Sequence, residues 1–63
     1  MKYKLGDVVY IWPKLKVTIE RIDVEEIHVV WFEDAGGDAP PGSWRGPFHR
    51  TIRDENKILG IAT

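Results

Sequence analysis

Apolar and polar residues alternate with a period of two along most of this 63-residue chain. Such alternation predicts β-strands, because successive side chains of a strand point to opposite faces of a sheet. The first predicted strand, 7–12, directs Val9 and Ile11 to one face and places Tyr10 and Trp12 on the other. We therefore expect Val9 and Ile11 in the core and the two aromatic residues outside it.

The next two predicted strands are 15–24 and 27–33. The first of them alternates as a half-buried strand, but its phase slips in the middle, which predicts a β-bulge or sharp bend within 20–22. The second is apolar on both faces, which is typical of a central strand. The in-phase residues of four strands make up the predicted core: Val9, Ile11, Leu15, Val17, Ile19, Val29, Trp31 and Ile52.

Glycine and proline dominate segment 34–47, which predicts one long loop that carries Trp44. Alternation returns at 48–53, Asp54 can cap a turn or a single helical turn, and 57–62 reads as a short last strand. The chain is thus predicted to be one all-β domain, 1–63, and a small five-stranded SH3-like barrel with one long Gly/Pro-rich loop. A three-stranded meander with a C-terminal helix is the alternative.

Composition argues against catalysis and against a metal site. There is no cysteine, the one serine is Ser43 in the loop, and no spacing brings a nucleophile, a base and an orienting group together. The acidic run 23–26 is interpreted as a solvated turn, so no metal ligands and no cofactor are predicted. The N-terminal residues lack the apolar stretch of a signal peptide, and no apolar run is long enough to span a membrane, so we expect a cytoplasmic protein.

Three short segments, "KLGDVVYI", "KVTIERI" and "VVWFED", resemble the YodC-like family of short bacterial proteins over the first half of the chain. The matching positions are 6–9, 17–19 and 31–32. The family's glycine-rich turn is replaced here by "WPKLK", Val29 stands where the family has a cysteine, and the loop has no counterpart. The resemblance implies a small SH3-like barrel of bacterial or phage origin, and it implies nothing about chemistry, since the family has no established activity to carry over. The Gly-Asp opening also resembles KOW and Tudor-type barrels.

Exposed aromatic residues suggest that the protein acts by binding. Aromatic residues and arginine are enriched in interface cores, so Tyr10, Trp12, Trp44 and Arg45 are the predicted contacts for a protein partner, which includes a second copy of the chain. The structural alternative is that Trp44 closes over Tyr10 and Trp12 as a lid.

A nucleic-acid-binding barrel is the alternative function. It would stack bases on the same aromatic residues and bind phosphates through basic residues, namely Lys14, Lys16, Arg45 and Arg50. The net charge of −1 and the acidic stretch 20–34 favour the protein partner.

Overall fold

The computed structural model describes residues 2–62 and contains five strands in one antiparallel sheet. The strands are β1 (Val8–Trp12), β2 (Leu15–Ile22), β3 (Ile27–Asp34), β4 (Trp44–Ile52) and β5 (Gly60–Ile61). Their order in the sheet is β4-β3-β2-β1-β5. The prediction of an all-β, five-stranded domain is confirmed. The meander with a C-terminal helix is wrong, because a single 3-10 turn, Glu55–Lys57, is the only helix within 2–62.

The hydrogen bonds do not close this sheet into a barrel. Each neighbouring pair of strands is antiparallel, and β4 and β5 remain as the two edges. The SH3-like assignment therefore stays a prediction. Of the described residues, none belongs to a helix that is long and apolar enough to cross a membrane.

The core lies on one face of the sheet. Val9, Val17, Ile19, Val29 and Ile52 are buried there as predicted. The other three predicted core residues are half-buried and pack against this cluster: Ile11, Leu15 and Trp31. The cluster is completed by three buried residues outside the predicted set, Tyr3, Ile27 and Ile58.

The bulge expected within 20–22 is present. Ile19 pairs with Val29 and Arg21 pairs with His28, so Glu20 is the extra residue of β2. The extra residue returns Ile22 to the buried side, where it pairs with Ile27. A bulge also bends its strand and increases the local twist, which helps a single sheet to fold over its own core.

Strands β3 and β4 continue past the rest of the sheet as a two-stranded ribbon. β2 pairs with β3 only as far as Val30, whereas β3 and β4 remain paired up to Asp34 and Trp44. The ribbon contributes to the elongated shape of the molecule, whose longest dimension is 41 Å. The Gly/Pro-rich loop is shorter than predicted, covering 35–43, because Trp44 and Arg45 belong to β4.

The turn after β4 forms as the sequence predicts. The Asp54 side chain accepts a hydrogen bond of 2.9 Å from the backbone N–H of Asn56 and caps the 3-10 turn. This arrangement satisfies an N–H that has no partner within the short helix. The turn leads to Ile58, which enters the core, and then to β5 beside β1.

Two valines provide a matched test of this burial. Val29 in β3 is 0% exposed and Val24 in the β2–β3 turn is 96% exposed. We expect Val29→Ala to lower the free energy of unfolding by about 2 kcal/mol, from the lost transfer of two methylene equivalents and the cavity left behind. Val24→Ala should change it by less than about 0.5 kcal/mol. Urea denaturation of both variants measures the difference, and equal losses would contradict the assignment of the core face.

Candidate interaction surface

Tyr10 lies on the outer face of the sheet, away from the core. It pairs with Lys16 across β1 and β2, and the Lys16 ammonium lies 6.0 Å from the centre of the Tyr10 ring. A cation over an aromatic face is weakly attractive at an exposed site. Tyr10 is half-buried, so its ring offers a partner only part of its surface.

Trp12 lies on the opposite face from Tyr10, which differs from the sequence interpretation. Tyr10 pairs with Lys16 but Trp12 pairs with Leu15, so Ile11 is an extra residue at a second bulge. Residues directly opposite each other share a face, and Leu15 packs against the core. The bulge therefore turns Trp12 to the core side, and the predicted aromatic stripe of Tyr10 and Trp12 does not form.

Trp12 and Arg50 show how strongly the sheet curls. The Arg50 guanidinium lies 5.0 Å from the centre of the Trp12 ring, although Trp12 belongs to β1 and Arg50 to β4. Neighbouring strands lie about 4.8 Å apart, so a flat sheet would separate β1 from β4 by about 14 Å. The contact indicates that the two strands approach each other over the core without pairing.

Trp44 and Arg45 point to opposite faces of the ribbon. Arg45 pairs with Glu33, which accepts a hydrogen bond of 3.1 Å from the indole N–H of Trp31 on the core side. Trp44 pairs with Asp34 on the outer side. The sequence placed both residues at one binding site, whereas a single flat partner surface can contact only one of them.

Phe32 and Trp44 form an exposed aromatic pair on the outer face of the ribbon, which we call the ribbon patch. The two side chains are 57% and 66% exposed and lie diagonally across β3 and β4. Gly46 permits this arrangement: a β-carbon there would lie 3.1 Å from the Phe32 ring, and its φ of +132° also disfavours other residues. Trp44 is thus not a lid over Tyr10 and Trp12.

The base of the ribbon is supported from the core side. The rings of Trp31 and Phe48 stack there, with centres 5.8 Å apart and planes inclined by 29°. At the tip, the Ala35 N–H donates to the Ser43 carbonyl over 2.9 Å. Contacts at both ends therefore hold the strands that display the ribbon patch in register.

Of the described residues, one group has the donor atoms and spacing to hold a metal ion: Asp23, Glu26 and His28. It lies where the β2–β3 turn enters β3, at the opposite end of β3 from the ribbon patch. The two surfaces therefore belong to different parts of the molecule.

Comparison of the chain with protein-family models, with curated proteins and with solved structures found no significant match. The resemblance to the YodC-like family consequently stays a prediction. Function is argued below from the geometry of the chain itself.

The contact between Trp12 and Arg50 can be tested by a double-mutant cycle. Cation–π pairs at exposed sites contribute about 0.5–1 kcal/mol, and we expect Trp12→Leu and Arg50→Gln to show a coupling energy of that size in urea denaturation. The control pairs Trp12→Leu with Arg45→Gln on the distant ribbon, where the two effects should add. Additive effects of Trp12→Leu and Arg50→Gln would show that β1 and β4 do not meet in solution.

Proposed function

We propose that this chain is a non-catalytic protein-binding module whose anchor is the ribbon patch. The observation that carries the proposal is the exposure of Phe32 and Trp44 side by side on a ribbon that projects beyond the sheet. Tryptophan is among the residues most enriched at energetic hot spots of interfaces, and phenylalanine is enriched in interface cores. More than half of each side chain is exposed.

The energetics favour a protein partner for this patch. Burying a large apolar side chain gains about 1.5–3 kcal/mol, so two such side chains offset part of the cost of association. Both strands of the ribbon are held in register, so little conformational entropy is lost when a partner covers the patch. Asp34 pairs with Trp44 on this face, and its carboxylate can form part of a polar rim.

A second copy of the chain is the first partner to test. The outer face continues from the ribbon patch into a row of paired residues across four strands: Val8, Thr18, Val30 and His49. Val8 and Val30 are half-buried, so this row presents some apolar surface beside the aromatic pair. A symmetric dimer would cover the same patch on both copies.

The absence of catalysis in this proposal rests on the arrangement of the polar groups. Thr51, His28 and Asp23 are in contact in the order hydroxyl, imidazole, carboxylate. However, His28 Nε2 makes no hydrogen bond to the carboxylate, so this chain of contacts lacks the bond that orients the base in a hydrolytic triad. The other histidine, His49, is bonded to Glu20 over 2.9 Å.

Trp44→Ala separates binding from folding. We expect it to abolish capture of the partner or to weaken self-association by at least tenfold, since a hot-spot residue contributes about 2 kcal/mol or more. The urea midpoint should change little, because Trp44 packs outside the core. Leu59→Ala is the matched control, because Leu59 is 60% exposed away from the ribbon.

Sedimentation equilibrium measures self-association of these variants, and affinity capture followed by mass spectrometry measures binding of other proteins. Unchanged binding by Trp44→Ala would remove the ribbon patch as the anchor. A collapse of the urea midpoint would instead make Trp44 a folding residue.

Nucleic-acid binding is a second candidate, favoured by the cleft between β1 and β4. This cleft is lined by Trp12 and by three basic residues, Arg50, Arg53 and Lys57, and it contains no carboxylate in its lining. An aromatic ring beside several cations can stack a base and bind a phosphate.

A titration with single-stranded DNA and RNA tests the second candidate. Affinity should fall steeply as salt rises, and Lys57→Gln should weaken binding at low salt while Trp44→Ala should not. Fluorescence anisotropy measures both effects. Binding that disappears with Trp44→Ala, or no binding at low salt, would exclude the cleft as a nucleic-acid site.

A further inference from the structure

The turn between β2 and β3 brings together three metal-ligating side chains that the proposed function does not use. Asp23 and Glu26 lie in the turn, which is closed by a hydrogen bond of 2.8 Å from the Asp23 N–H to the Glu26 carbonyl. His28 follows in β3. One donor atom from each residue lies within 4.8 Å of the other two, and all three residues are half-buried.

The imidazole of His28 has one nitrogen without a hydrogen-bond partner in the described chain. Its Nδ1 shares a hydrogen bond of 3.2 Å with the hydroxyl of Thr51, the residue opposite it in β4. Its Nε2 is buried and has no hydrogen-bond partner in the described chain, although it faces two carboxylates. When Nδ1–H donates to Thr51, Nε2 presents a lone pair to two negative groups. In that tautomer a cation between Nε2 and the carboxylates satisfies all three groups, as a proton on Nε2 does in the other tautomer.

The distances around Nε2 suit a metal ion. Nε2 lies 3.3 Å from Asp23 Oδ2 and 3.9 Å from Glu26 Oε1. Two ligands bound to Zn²⁺ at about 2.0–2.1 Å in tetrahedral geometry are about 3.4 Å apart. The shorter distance matches this separation, and a small rotation of the Glu26 side chain would match the longer one. We propose that Asp23, Glu26 and His28 bind a divalent transition-metal ion, with Zn²⁺ as the probe.

An acidic cleft lies beside the turn and includes two of the three ligands in its lining. Its lining contains five carboxylates and one arginine: Asp23, Glu25, Glu26, Asp54, Glu55 and Arg53. One oxygen of Glu55, Oε2, is buried and has no hydrogen-bond partner in the described chain. A concave surface lined by one sign of charge concentrates ions of the opposite sign. The cleft therefore raises the local concentration of cations beside Asp23 and Glu26, which belong to its lining.

Two arginines contact these carboxylates, and Arg21 lies on the same Asp23 oxygen that faces His28, so a bound ion would have to displace Arg21. Arg21 Nε lies 3.1 Å from Asp23 Oδ2, and Arg53 Nε lies 3.5 Å from Glu26 Oε2. Both arginine side chains are mostly exposed, and exposed ion pairs are weak. Glu26 also directs its other oxygen, Oε1, toward His28.

The donor set selects the class of metal. One imidazole and two carboxylates suit Zn²⁺ and its first-row neighbours, whereas Mg²⁺ and Ca²⁺ prefer oxygen ligands alone. The Thr51 hydroxyl can accept from Nδ1–H in the tautomer that leaves Nε2 free, as outer partners of metal-bound histidines do. An ion here would join the β2–β3 turn to β3 and, through Thr51, to β4. The predicted effect is structural stabilisation rather than catalysis.

Calorimetric titration of the tag-free protein with Zn²⁺ tests the proposal. We expect one bound equivalent, a rise in Tm with added Zn²⁺, and no competition from an equal concentration of Mg²⁺. Glu26→Gln should weaken binding by about tenfold or more, whereas the matched control Glu25→Gln should change it by less than about twofold. His49→Gln should leave Zn²⁺ binding unchanged, which would exclude His49 as a ligand. Circular dichroism establishes that each variant is folded.

The imidazole NMR signals of the unmodified protein give a readout that no substitution can confound. Zn²⁺ should shift the Nε2 resonance of His28 and leave that of His49 in place. Three results would overturn the proposal: no binding at millimolar Zn²⁺, equal losses for Glu26→Gln and Glu25→Gln, or a shift at His49 alone. If Zn²⁺ does not bind, the proposal for the ribbon patch is unaffected, because the two surfaces lie at opposite ends of β3.

Discussion

A single sheet has to bury one of its own faces in this protein, and every larger feature depends on that constraint. No second layer of helices or strands covers the core within residues 2–62. The sheet therefore curls until Arg50 of β4 reaches Trp12 of β1. Bulges at Ile11 and Glu20 supply local bending, and Tyr3 and Ile58 add buried surface from segments that flank the strands.

Alternation of apolar residues predicts this fold correctly where a strand is long enough to show which of its residues face the core. The slip in β2 is visible because two residues of the strand follow Glu20, and the apolar one, Ile22, falls out of phase. The bulge at Ile11 is invisible in the sequence, because only Trp12 follows it in the strand. Tyr3 and Ile58 also carry no periodic signal. Both lie outside the strands, and only the folded chain shows what they contact.

The candidate surfaces likewise depend on strand pairing, which the sequence alone does not show. Trp44 and Arg45 are readily singled out as an aromatic residue and an arginine in a Gly/Pro-rich stretch, but their faces depend on pairing with Asp34 and Glu33. Gly46 and Pro47 oppose one residue of β3, so the alternation there breaks and the sequence resembles a loop. The sequence also singles out the acidic run 23–26 but interprets it as a solvated turn, because only the folded chain brings His28 of β3 beside Asp23 and Glu26.

The two ends of β3 place different demands on the fold. At the Ile27 end, β3 is paired on both sides and borders the core, so changes in the turn act on a region that the whole domain depends on. At the Asp34 end, β3 is paired only with β4, and isolated two-stranded ribbons are marginally stable in water. A partner at the proposed ribbon patch would therefore reinforce strand pairing that the Trp31–Phe48 stack and the Ala35–Ser43 hydrogen bond already hold in register. Substitutions in the ribbon patch can consequently alter binding while the core, at the other end of the strand, keeps its packing.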